Sequence, residues 1–425
     1  MRKDMIDSQK AFGYMKSLSF ERRSGSPEEK RAALLIAGHL RKMGLKPQVE
    51  RFDVDVFSFE DAVFEVTTPY KKRYKVWPVG YTKSTPKEGI AAPLVYIDNP
   101  NPGTFADVRG KIVLMEGGFT SKTYQAFVEN KAKGFVRISA PDRLVYGKLS
   151  HILPKRFGRV PGVTLGYEDG LEIVSRGASY GRLISKTSTR KGASQNVTVE
   201  IKGKKLPNEV VVICAHYDSV VWSPGATDNA AGSALALALA EHFTKSPLAR
   251  TLRFIWFGCE EIGLIGSFKY TEKHKKELKK VKMVLNLDVG GTLIGRINAI
   301  ITGDEKLANY IEVLGKETGA FSSIVADVYS SDSVPFAEYG VPSVNLYRGG
   351  GGTSYIHTDG DSLRHCGPSA FETIGRVSLE FLRRVAEAVE FPFTHGLPVS
   401  IQEKLKKYIE NSGRFYKYKG EKTEK

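Results

Sequence analysis

The fold of this 425-residue chain is decided by residues 209–216, which read EVVVICAH. The run is apolar without alternation up to its histidine, a pattern typical of a strand buried on both faces of a parallel sheet. An Ala/Leu-rich stretch at 229–240 follows soon after. It predicts a buried helix, because it is apolar all round and rich in strong helix formers. A buried strand followed by a buried helix indicates an α/β fold.

Three further apolar runs extend the predicted sheet. They lie at 251–258, 281–287 and 342–347, with polar or helix-forming segments between them. Alternation of strands with helices predicts a mostly parallel central sheet that is flanked by helices on both faces. In open sheets of this kind the chemistry lies in the crevice at the carboxyl ends of the strands. The residues that follow each run are therefore the candidates for function.

Side chains that bind metals stand at these strand ends: His216, Asp228, Glu260, Glu261, Asp288 and His357. Each alone has an ordinary structural explanation, such as a hydrogen-bonded strand-end histidine or a helix N-cap. Together they favour a metal site, because zinc accepts imidazole nitrogen and carboxylate oxygen and leaves a position open for water in catalytic sites. Two such ions held close together would require a bridging carboxylate, and Asp228 is the natural candidate.

The segments that carry these residues resemble those of the M28 family of zinc peptidases, the aminopeptidase and glutamate carboxypeptidase group. The resemblance covers roughly residues 190–390 and implies a zinc-exopeptidase-like fold with two Zn²⁺ per chain, replaceable by Co²⁺ or Mn²⁺. By this resemblance, one zinc is bound by His216 and Asp288 and the other by Glu261 and His357. Asp228 bridges the two ions.

The same resemblance assigns the catalytic roles. Glu260 would be the general base, and Asp218 would hold the far nitrogen of the His216 imidazole, which fixes the tautomer of a metal ligand. Ser331 and Asp332 would shape the pocket wall. The chain departs from the family pattern at Ser333, where a histidine is usual, and at Asn229, where the bridging residue is often followed by aspartate. We expect the peptide bond between Asp228 and Asn229 to be cis, as it can be in that family.

The activity implied is that of a di-zinc exopeptidase acting on short peptides, with an aminopeptidase favoured. A carboxypeptidase or dipeptidase on the same fold stays open, because the metal ligands do not separate these activities. A glutaminyl cyclase with a single zinc is less favoured, since both pairs of ligands are present. A non-enzymatic receptor-like relative is also less favoured, because it would be expected to have lost ligands.

The peptidase-like domain is predicted to be discontinuous, at 1–78 and 190–412. Its start carries a capping box, Ser26-Pro27-Glu28-Glu29, which predicts a helix to about Met43. Residues 79–189 form a different block of strands and helices without ligand-type clusters, and this block resembles the protease-associated (PA) insert of several M28 members. It is too long for a loop and predicts a small second domain. This domain would serve as a lid or wall of the cleft, would restrict substrate size, or would do both. Residues 413–425 are predicted to be a mobile basic tail.

Composition limits the remaining function classes. The net charge is +16, but the basic residues are spread and no nucleic-acid motif accompanies them, so we expect a peptide partner and no nucleic acid. No apolar run is long enough to cross a bilayer, and no secretory h-region follows Met1. We therefore expect a cytoplasmic protein without membrane contact, although a leader removed earlier stays open, as does assembly into a homo-oligomer. The three cysteines match neither a zinc-type spacing nor a disulfide framework.

Overall fold

The computed structural model describes residues 5–141, 144–246 and 248–420. The helices are α1 (Ser8–Leu18), α2 (Pro27–Lys42), α3 (Ser121–Glu129), α4 (Leu153–Phe157), α5 (Tyr167–Ser175), α6 (Ala231–Thr244), α7 (Ile265–Lys273), α8 (Glu305–Thr318), α9 (Val334–Ala337), α10 (Ala370–Glu387) and α11 (Val399–Asn411). The strands are β1 (Gln48–Thr68), β2 (Lys72–Tyr74), β3 (Val76–Pro78), β4 (Ile90–Ile97), β5 (Ile112–Glu116), β6 (Gly134–Ile138), β7 (Gly162–Leu165), β8 (Tyr180–Ile201), β9 (Leu206–His216), β10 (Arg250–Phe257), β11 (Val281–Leu287), β12 (Arg296–Thr302), β13 (Phe321–Ala326) and β14 (Ser343–Gly349).

The described residues divide into two compact units. The first unit comprises residues up to Val54, Ala193–Lys406 and residues from Lys417 onward. Its sheet has the order β13-β12-β14-β11-β9-β10-β8. The four central strands β14, β11, β9 and β10 are parallel, whereas β8 and β12 join them in antiparallel pairs. The predicted α/β fold with a mostly parallel central sheet is therefore confirmed.

Helix α6 packs against the middle of this sheet and is buried on nearly every side, as its Ala/Leu sequence predicts. The close approach of its first turn to β11 depends on Gly232. A Cβ atom there would lie 2.2 Å from the backbone oxygen of Leu287, so only glycine fits without moving the helix. This packing fixes the start of α6, which Asp228 precedes by three residues, against the end of β11, which Asp288 follows.

The second unit contains Asp55–Gly192 and Lys407–Tyr416. Strands β4, β5, β6 and β7 run parallel in that order, and β3 is antiparallel to β7. Its own apolar core includes Phe64, Leu114 and Val136. A separate core is what an independent small domain requires.

The unit boundaries differ from the predicted ones. We predicted the inserted block at 79–189, whereas the second unit begins at Asp55 and runs to Gly192. Strands β1 and β8 are long and uninterrupted, so no turn or loop signals the change of unit in the sequence.

The predicted mobile tail is also different in the structure. The amide of Leu397 donates a hydrogen bond to the Tyr418 hydroxyl at 3.1 Å, and the amide of Lys419 donates to the backbone oxygen of Glu338 at 2.6 Å. Residues 417–420 thus belong to the first unit, residues 413–416 belong to the second unit, and 421–425 lie outside the described residues. Among the helices that the structure describes, none is long and apolar enough to cross a membrane.

Candidate metal centre

The carboxyl ends of the parallel strands bring the predicted ligands to one edge of the first unit's sheet. In the register of β9 and β10, His216 lies directly beside Phe257, three residues before Glu260. Strand β11 lies on the other side of β9 and ends at Leu287, so Asp288 emerges at the same level. The sheet geometry thus converts three distant sequence positions into neighbours.

Two groups of ligand-type side chains meet there. The first group is His216, Asp228 and Asp288; the second is Asp228, Glu261 and His357. The His216 Nε2 atom lies 3.1 Å from Asp228 Oδ1 and 3.2 Å from Asp288 Oδ1. The His357 Nε2 atom lies 3.1 Å from Asp228 Oδ2 and 3.3 Å from Glu261 Oε2. The two oxygens of Asp228 therefore serve different groups.

These spacings fit zinc. Ligand atoms that bind a tetrahedral zinc at about 2.0–2.1 Å are separated from each other by about 3.3 Å. The four distances of 3.1–3.3 Å match that edge length. Each group supplies one imidazole nitrogen and two carboxylate oxygens, which leaves a fourth position of a tetrahedron for water or substrate. The residues present are thus suited to two zinc ions with Asp228 between them.

The electrostatics of the cluster point in the same direction. Burial disfavours the charged imidazole, yet Asp288 and Glu260 raise the pKa of His216 well above its usual range. Burial is likewise outweighed at His357, whose pKa Glu261 and Asp228 raise strongly. The pKa of Asp228 is held far below its usual range, against its burial, by hydrogen bonds with both imidazoles. So much negative charge in a buried cluster favours the binding of cations.

Asp218 connects His216 to the loop that carries the paired glutamates. The Nδ1 atom of His216 lies 3.2 Å from the backbone oxygen of Asp218 and 3.5 Å from its carboxylate. That carboxylate also accepts hydrogen bonds from the amides of Glu260 and Glu261, at 3.1 and 3.2 Å, and from the Ser24 hydroxyl at 2.6 Å. A Nδ1–H held in this way leaves Nε2 free to bind a metal.

Glu260 and Glu261 are neighbours that occupy different positions. Glu261 is buried and belongs to the second donor group, whereas Glu260 is partly exposed and belongs to neither. Burial, opposed by His216 and reinforced by Glu261, raises the pKa of Glu260 well above its usual range.

Several residues that brace the site carry no recognisable signal in the sequence. Arg22 is fully buried, and its guanidinium donates to backbone oxygens of Tyr217 at 2.5 Å and Gly225 at 2.9 Å, and to others nearby. It thereby clamps the loop between β9 and α6, which carries Asp218 and leads to Asp228. Its burial lowers its pKa to about 10, although Asp361, Asp218 and further carboxylates oppose that shift.

Glu29 is a second residue that braces the site, although its sequence pattern indicates only a helix cap. Its predicted role was to complete a capping box with Ser26, and the Ser26 hydroxyl does accept from the Glu29 amide at 3.1 Å. The Glu29 carboxylate, however, accepts from the Ser194 hydroxyl at 2.8 Å and from the amide of Cys259 at 3.1 Å. It therefore holds the backbone immediately before Glu260. Burial and the nearby Asp218 raise the pKa of Glu29 to about 8.

Ser331 and Asp332 are fully buried, so they support the site from within the fold. The Ser331 hydroxyl accepts a hydrogen bond at 2.9 Å from the side chain of Asn286, which lies two residues before Asp288. Burial raises the pKa of Asp332 to about 7. Their contribution to the pocket stays a prediction. The expected cis peptide between Asp228 and Asn229 is present.

Comparison with known proteins identifies relatives of this chain among peptidases. The model of peptidase family M28 matches residues 196–382. The chain is 30% identical over 371 residues to aminopeptidase YwaD of Bacillus subtilis. This alignment spans 83% of this chain and 78% of that protein. It is 33% identical over 291 residues to leucine aminopeptidase 2 of Trichophyton rubrum, of whose length it spans 57%.

Solved structures give the same picture for the fold. A zinc aminopeptidase from Bacillus subtilis superimposes with a TM-score of 0.73 at 26% identity, covering 93% of this chain and 100% of the other. An aminopeptidase from Aneurinibacillus sp. strain AM-1 gives a TM-score of 0.77 at 22% identity, covering 94% and 98%. A glutaminyl cyclase from an Acidobacteriales bacterium shares the fold more distantly, with a TM-score of 0.51 at 16% identity.

Proposed function

This chain belongs to peptidase family M28, and from that premise we propose that it is a two-zinc aminopeptidase acting on short peptides. The observation that carries the proposal is the division of the Asp228 carboxylate between two donor groups, with Oδ1 beside His216 and Oδ2 beside His357. A carboxylate shared in this way is what holds two dications about 3.5–4 Å apart. The relatives that are named aminopeptidases support the choice of terminus.

In this proposal His216 and Asp288 would hold one zinc, Glu261 and His357 would hold the other, and Asp228 would contribute to both sites. When bound, zinc supplies Lewis-acid activation of water and of the scissile carbonyl. Glu260 takes a proton from the attacking water and passes it to the leaving amine nitrogen. Asp218 keeps the His216 ring oriented and, through its two amide contacts, fixes the backbone of both glutamates.

The positions of Glu260 and Glu261 favour this division of labour. Two hydrogen bonds from adjacent amides to one carboxylate fix the backbone of both glutamates, whose side chains differ in burial: Glu261 is buried and Glu260 is partly exposed. One then reaches the His357 imidazole, and the other stays available for proton transfer. Proton transfer by a positioned side chain contributes about 10²–10⁴-fold in rate.

The experiment that tests the proposed activity uses zinc-loaded protein and three versions of one tripeptide: free at both ends, acetylated at the amino end, and amidated at the carboxyl end. An aminopeptidase cleaves the free and amidated peptides and leaves the acetylated one intact. Cleavage of the acetylated peptide with resistance of the amidated one would establish a carboxypeptidase instead. Chelator treatment should abolish either activity, and re-addition of zinc, cobalt or manganese should restore it.

A further inference from the structure

Asp361 is a buried carboxylate that binds the backbone of the bridging residue. It lies four residues after His357, in the turn that follows that ligand, and only 1% of its surface is exposed. Its Oδ1 atom accepts hydrogen bonds from the amide of Thr227 at 2.8 Å and from the Thr227 hydroxyl at 2.7 Å. Its Oδ2 atom accepts from the amide of Asp228 at 3.1 Å.

Backbone contacts reinforce this link. The amide of Ala226 donates to the backbone oxygen of Asp361 at 3.2 Å, and the amide of Asp361 donates to Thr358 at 3.3 Å. The loop that leads to Asp228 and the turn that follows His357 are therefore joined through one residue. Asp228 belongs to both donor groups and His357 only to the second, so the joined segments supply two members of the second group and one of the first.

The contacts of Asp361 serve orientation and not merely burial. A carboxylate that accepts three hydrogen bonds fixes the peptide before the bridging side chain in two directions at once. Because each oxygen of Asp228 belongs to a different donor group, a small rotation of its backbone would displace an oxygen from one group or the other. Partners of this kind typically change metal affinity by about 10–100-fold when they are removed.

We propose that Asp361 is a positioning residue that holds Asp228 and His357 in mutual register and thereby sets the affinity of the second zinc site. The proposal rests on the two-zinc function given above and adds a residue that touches neither substrate nor metal. A positioning role predicts different effects on the two zinc sites, whereas a purely structural role predicts equal effects. Loss of Asp361 should weaken the Glu261–His357 site more than the His216–Asp288 site.

The test compares wild-type protein with Asp361→Asn, and the readout is the affinity of each zinc site, measured by competition with a chromophoric chelator. Asparagine has nearly the same shape as aspartate, but only one of its two terminal atoms is an acceptor oxygen. The other is an NH₂ group, which cannot accept the hydrogen bond of a backbone N–H that faces it. We expect the zinc affinity of the Glu261–His357 site to fall by about 10–100-fold and that of the His216–Asp288 site to change much less. In Co²⁺-loaded Asp361→Asn, the competing chelator should remove the visible absorption of one cobalt equivalent before that of the other.

Two further variants make the result decisive. Asp359→Asn removes a carboxylate from the same turn, but Asp359 is exposed, and both zinc affinities should stay at their wild-type values. Thr227→Val removes one of the three hydrogen bonds to Asp361 and retains the two amide donors, so it should weaken the same site by a smaller factor. It provides the measurement should Asp361→Asn fail to fold.

The outcomes separate this inference from the proposed function. If wild-type protein binds two zinc ions and Asp361→Asn or Thr227→Val binds both as tightly, the positioning role is wrong and the two-zinc site survives. Equal weakening of both sites would also overturn the proposal, because it would indicate a general loss of structure. If wild-type protein binds only one ion, the two-zinc function itself is wrong, whatever the variants do.

Discussion

The division of labour between Glu260 and Glu261 can be tested by replacing each with glutamine. The two residues are adjacent and carry the same charge, so a general loss of negative charge would affect both variants alike. The structure places only Glu261 in a donor group, with Oε2 at 3.3 Å from the His357 Nε2 atom. The two substitutions should therefore fail in different ways.

The magnitudes follow from these roles. Glu260→Gln should retain both metals and lose the proton transfer, which is worth about 10²–10⁴-fold in rate, or roughly 3–5.5 kcal/mol in the activation free energy. Most of that loss should appear in kcat. Glu261→Gln should weaken one zinc by more than the roughly 10–100-fold that is typical of removing a residue behind the ligands, because a direct ligand is lost.

The assay measures zinc content after dialysis against a weak chelator, together with kcat and KM at saturating zinc. Far-UV circular dichroism of both variants controls for folding. Glu261→Gln should regain much of its activity as free zinc is raised, whereas Glu260→Gln should not respond. A Glu260→Gln protein that loses zinc while Glu261→Gln remains fully loaded would refute the reasoning, because the roles would then be exchanged.

Two other predictions concern stability. Arg22→Met should lower the free energy of unfolding by about 3–5 kcal/mol in urea denaturation, because buried backbone oxygens and carboxylates lose their charged partner. The second prediction concerns His274, whose pKa is raised by a hydrogen bond with Glu50 at 3.0 Å. Because the pKa is higher in the folded state, protonated His274 stabilises the fold. This contribution is complete below about pH 6.5 and is lost as pH rises through the folded-state pKa. The stability difference between wild type and His274→Gln should therefore be larger at pH 5.5 than at pH 9, and a difference independent of pH would contradict it.

The sequence was sufficient to predict the four central parallel strands of the first unit's sheet and the cluster of ligand-type residues. Strand β9 and helix α6 follow from continuous apolar runs, and such runs report local structure directly. His216, Asp228 and Asp288 could be grouped because they end strands or begin a helix in one parallel sheet, and a parallel sheet has a single carboxyl edge. Local patterns and one topological rule were enough for these residues.

The residues that brace the site could not be predicted in the same way. Arg22 and Asp361 bind backbone groups that lie more than 130 positions away along the chain, and a backbone acceptor or donor has no sequence signature. Glu29 was misleading, because its spacing from Ser26 matches a helix cap while its carboxylate binds Ser194 and Cys259. Long-range contacts of this kind become visible only when the chain is folded.

The measurement that tests the central claim most directly is the number of zinc ions bound per chain, obtained by calorimetric titration of metal-free protein. We predict two for the wild type, and one each for His216→Ala and His357→Ala, because each variant loses a ligand from a different donor group. A single zinc in the wild-type protein that persists unchanged in His216→Ala would contradict a shared site bridged by Asp228.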